Sequence, residues 1–211
     1  MMESMLAHNT EPEVLHQLLA SATHEASAVM CRWTDGLITL SLDEVRELPL
    51  EEVTFEIGLG DDLLTMVVLN LEGEMGGAMI LTFDEINGRI LASALLRQPV
   101  NEGPWNELER SALTETGNIL GCAYMNAITR LIHRELVPSP PYFIQDYGAS
   151  VLQQAISSQA MTCSTTVVCR TEFHREGEAL NWHVLFLPNY ALRCAISGSL
   201  NHAMQAAGLP N

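Results

Sequence analysis

Basic residues are scarce in this sequence. Lys and Arg together number 10 against 26 Asp and Glu, a formal charge of −16 over 211 residues. Such a surface repels nucleic-acid phosphates and anionic lipid, which sets aside DNA, RNA and membrane-surface binding. Long apolar runs are missing too: no stretch approaches the roughly 18 residues needed to span a bilayer. The five cysteines (Cys31, Cys122, Cys163, Cys169 and Cys194) are odd in number and include no CxxC pair. No basic segment precedes an apolar one at the N-terminus. The chain therefore reads as a reduced, cytoplasmic protein. The seven histidines are scattered. His16 and His24 could share a helix face, but no acidic or thiol ligand completes the set of three or four that zinc needs. There is no P-loop and no nucleophile elbow, so a metal-dependent or nucleophilic hydrolase finds no support, and no cofactor of the chain's own is expected.

What is present is apolar material, 47 % of the residues, enough for a sizeable core. Thr10 can cap a helix over about Glu13–Trp33, whose Val14, Leu18, Leu19, Ala22, Ala26 and Val29 follow helical spacing. Leu37–Leu42 reads as a short strand. The segment Glu44–Gly60 is ambiguous, because Pro49 and the acidic cluster break any long element. Thr65–Leu71 and Ala78–Phe83 read as a strand pair across a Gly-rich turn. Asp84 caps a helix through about Arg97. A second long helix runs from about Trp105 to His133, and Pro138-Ser139-Pro140-Pro141 keeps the chain from becoming helical again. A helix of roughly Ala149–Ser158 follows. Thr165–Phe173 and Asn181–Leu187 form a second strand pair around the turn His174–Glu178, and Asn189 caps a last helix over about Tyr190–Met204.

The element order repeats. A long helix, a connector, two strands and a capped helix occur once in roughly 10–98 and again in roughly 104–206. This predicts a single α+β domain over 1–211 with a pseudo-two-fold axis. Its sheet should be continuous and mainly antiparallel, with the long helices packed on it.

The informative segment is Ser111-Ala112-Leu113-Thr114-Glu115-Thr116-Gly117-Asn118-Ile119-Leu120-Gly121. At about 100° per residue, Ser111, Glu115 and Asn118 fall within an arc of about 60° on one helix face. Leu108, Ala112, Leu113, Thr116, Ile119, Leu120, Ala123 and Leu131 form an apolar band on the other side, so the polar face should look outward. An outward amide can hold a water, since its carbonyl accepts a hydrogen bond and its NH₂ donates one. A carboxylate one turn away can engage a partner's lysine. By spacing alone the bland reading, a solvated helix face, is the default. Cys122 lies near Asn118 on the same face and reads as a packing cysteine rather than a nucleophile.

Ser111-x-x-x-Glu115-x-x-Asn118, followed 22 residues after the Asn by Pro140, resembles the signature of the CheC/CheX/FliY phosphatases. Ser41–Val53 resembles the same family's segment after the first helix, and the length and doubled architecture fit CheC. The resemblance implies a phosphatase that stimulates loss of the aspartyl phosphate from a CheY-like response-regulator receiver in chemotaxis or related two-component signalling. It implies that Asn118 orients the attacking water and Glu115 contacts the receiver's lysine. Ser111 holds the motif's first position, and Pro140 shapes the loop beside the site. Mg²⁺ is expected on the phosphorylated receiver, not on this chain. Gly117 and Gly121 read as allowing close packing or approach of the partner.

The first repeat departs from the pattern. Back-alignment sets Glu13, Gln17 and Ala20 where the motif wants Asp or Ser, Glu and Asn, and Leu42 or Asp43 where it wants Pro. One working centre and one decayed centre are expected. The family also implies that the segment Ile144–Leu152 docks the deamidase CheD, with Asp146 at the start of its helix and an N-cap role as the plain alternative. The competing reading of the whole chain is a non-catalytic adaptor or scaffold that binds CheD or a receiver domain.

Overall fold

A computed structural model describes residues 11–56, 63–150, 164–175 and 178–206. The first element is helix α1 (Glu11–Trp33), followed by strand β1 (Ile38–Pro49) and the short helix α2 (Leu50–Glu56). The hairpin β2 (Leu63–Glu72) and β3 (Gly77–Phe83) and helix α3 (Glu85–Leu96) complete the first half. The second half begins with α4 (Glu107–Ile132), β4 (Val137–Pro138) and β5 (Tyr142–Tyr147). It ends with β6 (Thr165–Arg175), β7 (Glu178–Pro188) and α5 (Tyr190–Ala206). The Thr10 cap and most of the expected helix 149–158 lie outside the described residues, although the backbone of 148–150 is helical.

Among the described residues, seven strands form one sheet in the order β1-β6-β7-β3-β2, with β4 and β5 both on the outer edge of β2. Every ladder is antiparallel. Exchanging the halves maps β1 onto β4–β5, β2 onto β6 and β3 onto β7, and turns the strand order into its own reverse. The expected pseudo-two-fold sheet is therefore present. The first strand of each half pairs with the other half, since β1 lies on β6 and β5 lies on β2. The halves are interlocked.

Helices α1, α3, α4 and α5 cover one sheet face over a core that includes Leu19, Met30, Leu69, Leu81, Tyr124 and Trp182. Full burial of side chains this size stabilises by about 1.5–3 kcal/mol each. The other face carries a second cluster, with Val53 of α2 set against Leu48, Met66, Val68, Ile80 and Leu185. The Tyr124 hydroxyl joins the two long helices to the sheet, 2.8 Å from Thr23 Oγ1 and 3.1 Å from Thr171 Oγ1.

Two expectations are corrected. β1 runs through the acidic stretch to Pro49, with Ile38, Leu40 and Leu48 buried and its charged residues half-buried or exposed, where ion pairs to Arg170 and Arg193 hold them. Pro49 lacks an N–H and sits at the strand's last position, where none is needed. The Pro-rich segment is also not a plain connector. It breaks an edge strand into β4 and β5, and an edge is where a sheet tolerates proline.

Candidate functional site

Helix α4 carries the site, and its start is fixed unusually firmly. Asn106 is the N-cap: its side chain accepts from Glu109 N at 3.0 Å, and Glu109 Oε2 accepts from Asn106 N at 2.9 Å. The same buried carboxylate accepts from Asn101 Nδ2 at 3.0 Å and from Arg89 Nη1 at 3.4 Å. Arg89 lies on α3, is only 8 % exposed, and stacks 3.8 Å from the centroid of the Trp105 ring. Trp105 in turn meets Phe143 of β5 edge-on at 5.6 Å, and the Arg110 guanidinium covers the same Phe143 ring. Sheet edge, α3 and the N-terminus of α4 thus form one packed unit.

Further along, α4 lies close against β2. A Cβ at Gly117 would stand 2.5 Å from Val67 Cγ1, and one at Gly121 would stand 2.8 Å from Leu69 Cδ2. Close packing is therefore what both glycines serve. With that face on the sheet, Ser111 and Glu115 are exposed and Asn118 is half-buried. Ala112, Leu113, Thr116, Leu120 and Ala123 are buried as expected, but Leu108 is 60 % exposed, because it precedes the part of the helix that lies over the sheet.

The proline segment is bonded to the edge of β2, the strand on which α4 packs. Ser139 N donates to Asn70 O at 2.8 Å, and Asn70 N donates to Ser139 Oγ at 3.1 Å. Pro140, next to Ser139 in this break of the edge strand, is exposed. Cys122, one turn beyond Asn118, donates its thiol hydrogen to Asn118 Oδ1 at 3.5 Å. Burial first, and the Glu115 carboxylate second, push the Cys122 thiol above its ordinary range. It stays protonated near neutral pH and acts as a donor, not as a thiolate nucleophile.

Asp146 precedes the helical backbone of 148–150 by two residues. It lies in β5 opposite Leu64, and its Oδ1 accepts from Tyr147 N at 2.7 Å. The run Ile144–Tyr147, ahead of the expected helix, completes the sheet edge, with Ile144 packed against the second core cluster. On α1, Glu13 and Gln17 are exposed and Ala20 is half-buried, so the corresponding face of the first half has a methyl group where α4 has an amide. At the position of the proline loop, β1 carries a bulge between Leu42 and Glu44, and Asp43 accepts from Arg170 Nε at 2.5 Å.

Sequence reasoning missed the Arg89–Glu109 anchor and the thiol–amide bond. The capping box Asn106-x-x-Glu109 was a readable signal for the first, and the i,i+4 spacing for the second. Among the described residues no group of three or more His, Cys, Asp or Glu could hold a metal ion, and no helix is long and apolar enough to cross a membrane.

The chain matches no protein-family model. It is 24 % identical over 174 residues to the CheY-P phosphatase CheC of Bacillus subtilis (strain 168), covering 80 % of this chain and 83 % of that protein. Among solved structures it is similar to Thermotoga maritima FliY, with a TM-score of 0.69 and 16 % identity over 91 % of this chain and 96 % of that one. It is also similar to a chain of the CheX–CheY–BeF3–Mg complex from Borrelia burgdorferi, with a TM-score of 0.50 and 19 % identity over 80 % of this chain and 96 % of that one. The resemblance read from the sequence is borne out, and the fold is CheC-like.

Proposed function

We propose that this relative of the CheC/CheX/FliY family is a phosphatase for the aspartyl phosphate of a CheY-like receiver domain, with Asn118 and Glu115 at its single working centre. The observation that carries the reading is the pairing of these two side chains, one turn apart, on the outward face of a helix clamped to the sheet. A receiver brings its own carboxylates and a bound Mg²⁺ as part of the substrate. What remains to be supplied is a water held in line with phosphorus, and positioning of this kind lowers a barrier by several kcal/mol. The Asn118 carbonyl accepts a hydrogen bond from the water and leaves its lone pair toward phosphorus, while the NH₂ group donates to an oxygen beside it. The exposed Glu115 carboxylate pairs with the receiver's conserved-chemistry cation, its lysine, and fixes the helix in the phosphate pocket. This chain contains no lysine of its own. Ser111 extends the contact face, and Pro140 stiffens the loop beside it. The place of action is the cytoplasm, where receiver phosphorylation occurs.

The test follows the decay of a phosphorylated receiver from the same genome in Mg²⁺, with the wild type, Asn118→Ala and Glu115→Ala. Asn118→Ala is expected to cut the stimulated rate about 100-fold or more, with the melting temperature unchanged. Full activity in that variant would remove the assignment. The second reading, an adaptor that binds a receiver or CheD without chemistry, is favoured by one observation, the Ala20 methyl on the matching face of α1. It predicts receiver binding with no acceleration by the wild type.

A further inference from the structure

The amide of Asn118 can rotate by a half-turn and exchange its oxygen and nitrogen, since such terminal torsions are broad and two-fold. Only one of the two orientations presents a given lone pair or N–H to a water. The fold supplies a group that chooses between them. Cys122 Sγ lies 3.5 Å from Asn118 Oδ1, on the same face and one helical turn toward the C-terminus. A neutral thiol has one hydrogen to give and accepts only weakly, so it pairs with the carbonyl oxygen and not with the NH₂ group. The carbonyl has two lone pairs. The thiol occupies one and leaves the other, together with both N–H donors, on the open side of the helix.

We propose that Cys122 is a positioning residue: its thiol locks the Asn118 amide in the orientation that holds the attacking water. The proposal rests on the phosphatase reading of the site. Cys122 does not touch the substrate and forms no covalent bond. Two features of its surroundings suit the role. It is half-buried, so bulk water competes poorly for the thiol hydrogen. Burial, and then the neighbouring Glu115, disfavour a thiolate, so the hydrogen stays in place near neutral pH.

The test compares Cys122→Ala and Cys122→Ser in the full chain, with the phosphorylated receiver as substrate. Loss of one neutral hydrogen bond predicts that Cys122→Ala lowers kcat about three- to tenfold with KM unchanged. Cys122→Ser, which keeps a donor, should stay within about twofold of the wild type. Adding Cys122→Ala to Asn118→Ala should cost nothing further, because the amide it orients is gone. A packing role alone would lower the double variant again and would shift the melting temperature. The side-chain amide signals of Asn118 in a ¹⁵N–¹H spectrum give a second readout: they should move in Cys122→Ala and return in Cys122→Ser. Wild-type kcat in Cys122→Ala, or an equal loss in Cys122→Ser, would overturn the proposal while leaving the phosphatase reading intact. No acceleration by the wild-type chain would overturn both.

Discussion

Helices α1 and α4 occupy equivalent places on the sheet, yet they meet it differently. The register that sets Ala20 against Asn118 also sets Leu19 and Thr23 against Gly117 and Gly121. Leu19 and Thr23 are both 1 % exposed, so α1 fills its contact with side chains. The glycines of α4 leave no room for even one carbon before Val67 and Leu69. Spacing between packed elements follows the side chains at the contact, and here side chains fill the contact of α1 while the backbone of α4 itself comes against Val67 and Leu69. The edges beside the two helices differ as well. Beside α4, prolines interrupt the strand and Ser139 pins the break to Asn70. Beside α1, the strand runs on through a bulge and is tied by charges, with Asp43 and Glu47 held by Arg170 and Arg193. The difference teaches that the doubled fold needs neither the amide nor the proline loop. Both occur in the half whose long helix carries glycines at its contact with the sheet.

The largest expected effect bears on how α4 is held. Glu109→Ala removes the carboxylate that closes the capping box and accepts from Asn101 and Arg89, while the Arg89 guanidinium, 8 % exposed, keeps Glu85 at 2.9 Å and Gly103 O at 2.7 Å. Loss of the cap and of one acceptor in this buried network costs about 2–3 kcal/mol. Glu109→Gln keeps the cap and should recover part of that loss. Thermal or urea unfolding measures both. By contrast Arg130→Ala, which breaks the α1–α4 surface pair with Glu25, should cost less than about 1 kcal/mol. Equal losses from the two variants would mean that α4 has no special anchor.

Next comes the close approach itself. Gly117→Ala drives a methyl against Val67, whose branched side chain has little freedom to yield. Overpacking of this kind costs about 1–3 kcal/mol, against about 1 kcal/mol gained from helix propensity. A net destabilisation of about 1 kcal/mol is expected. The stimulated dephosphorylation should fall as well, because the helix must lift and carry Asn118 away from the proline loop. Gly121→Ala meets only the tip of Leu69, which can turn aside, and should be close to neutral in both measurements. Combining Gly117→Ala with Val67→Ala should restore activity more than stability, since the space returns but a buried side chain is lost. If Gly117→Ala kept full activity, the close approach would be irrelevant to the site.

Much of this was legible in the sequence wherever the cause was local. Asp84 caps α3 by accepting from Asn87 N at 2.7 Å, and Asn189 caps α5 by accepting from Leu192 N at 2.9 Å, within the short windows that announced them. The polar face of α4 was legible because helical periodicity fixes it regardless of partners. The first part of β1 was legible, but its continuation to Pro49 and the strands β4 and β5 were not, because prolines mask a strand whose only ladder is on one side. The capping box at Asn106 and Glu109 could be read locally, but the Arg89 partner lies 20 residues away on another helix and only packing reveals it. The closeness of Gly117 to Val67 is likewise a fact about two elements, although the glycines hinted at it.

The smallest expected effect tests the charged edge of the first half. His183 of β7 lies opposite Thr82 of β3 and Arg170 of β6, while Arg170 is in turn tied to Asp43 and Glu44 of β1. Burial, then the cations of Arg170 and Arg46, hold the His183 imidazole below its ordinary value of 6.5. Protonated His183 is thus worse accommodated in the fold than in the unfolded chain. Its contribution to stability is complete above the unfolded value and is lost as the pH falls through 6.5 toward the folded value. Between neutrality and mild acid the wild-type melting temperature should therefore drop more steeply than that of His183→Gln, with the two curves drawing together at the acid end. His183 and Arg170 both belong to the second half, and they reach the charged β1 edge through the Arg170 pairs with Asp43 and Glu44. Parallel curves would show that the charges along β1 and β6 absorb the proton without cost. The contrast between the two edges would then be one of shape alone.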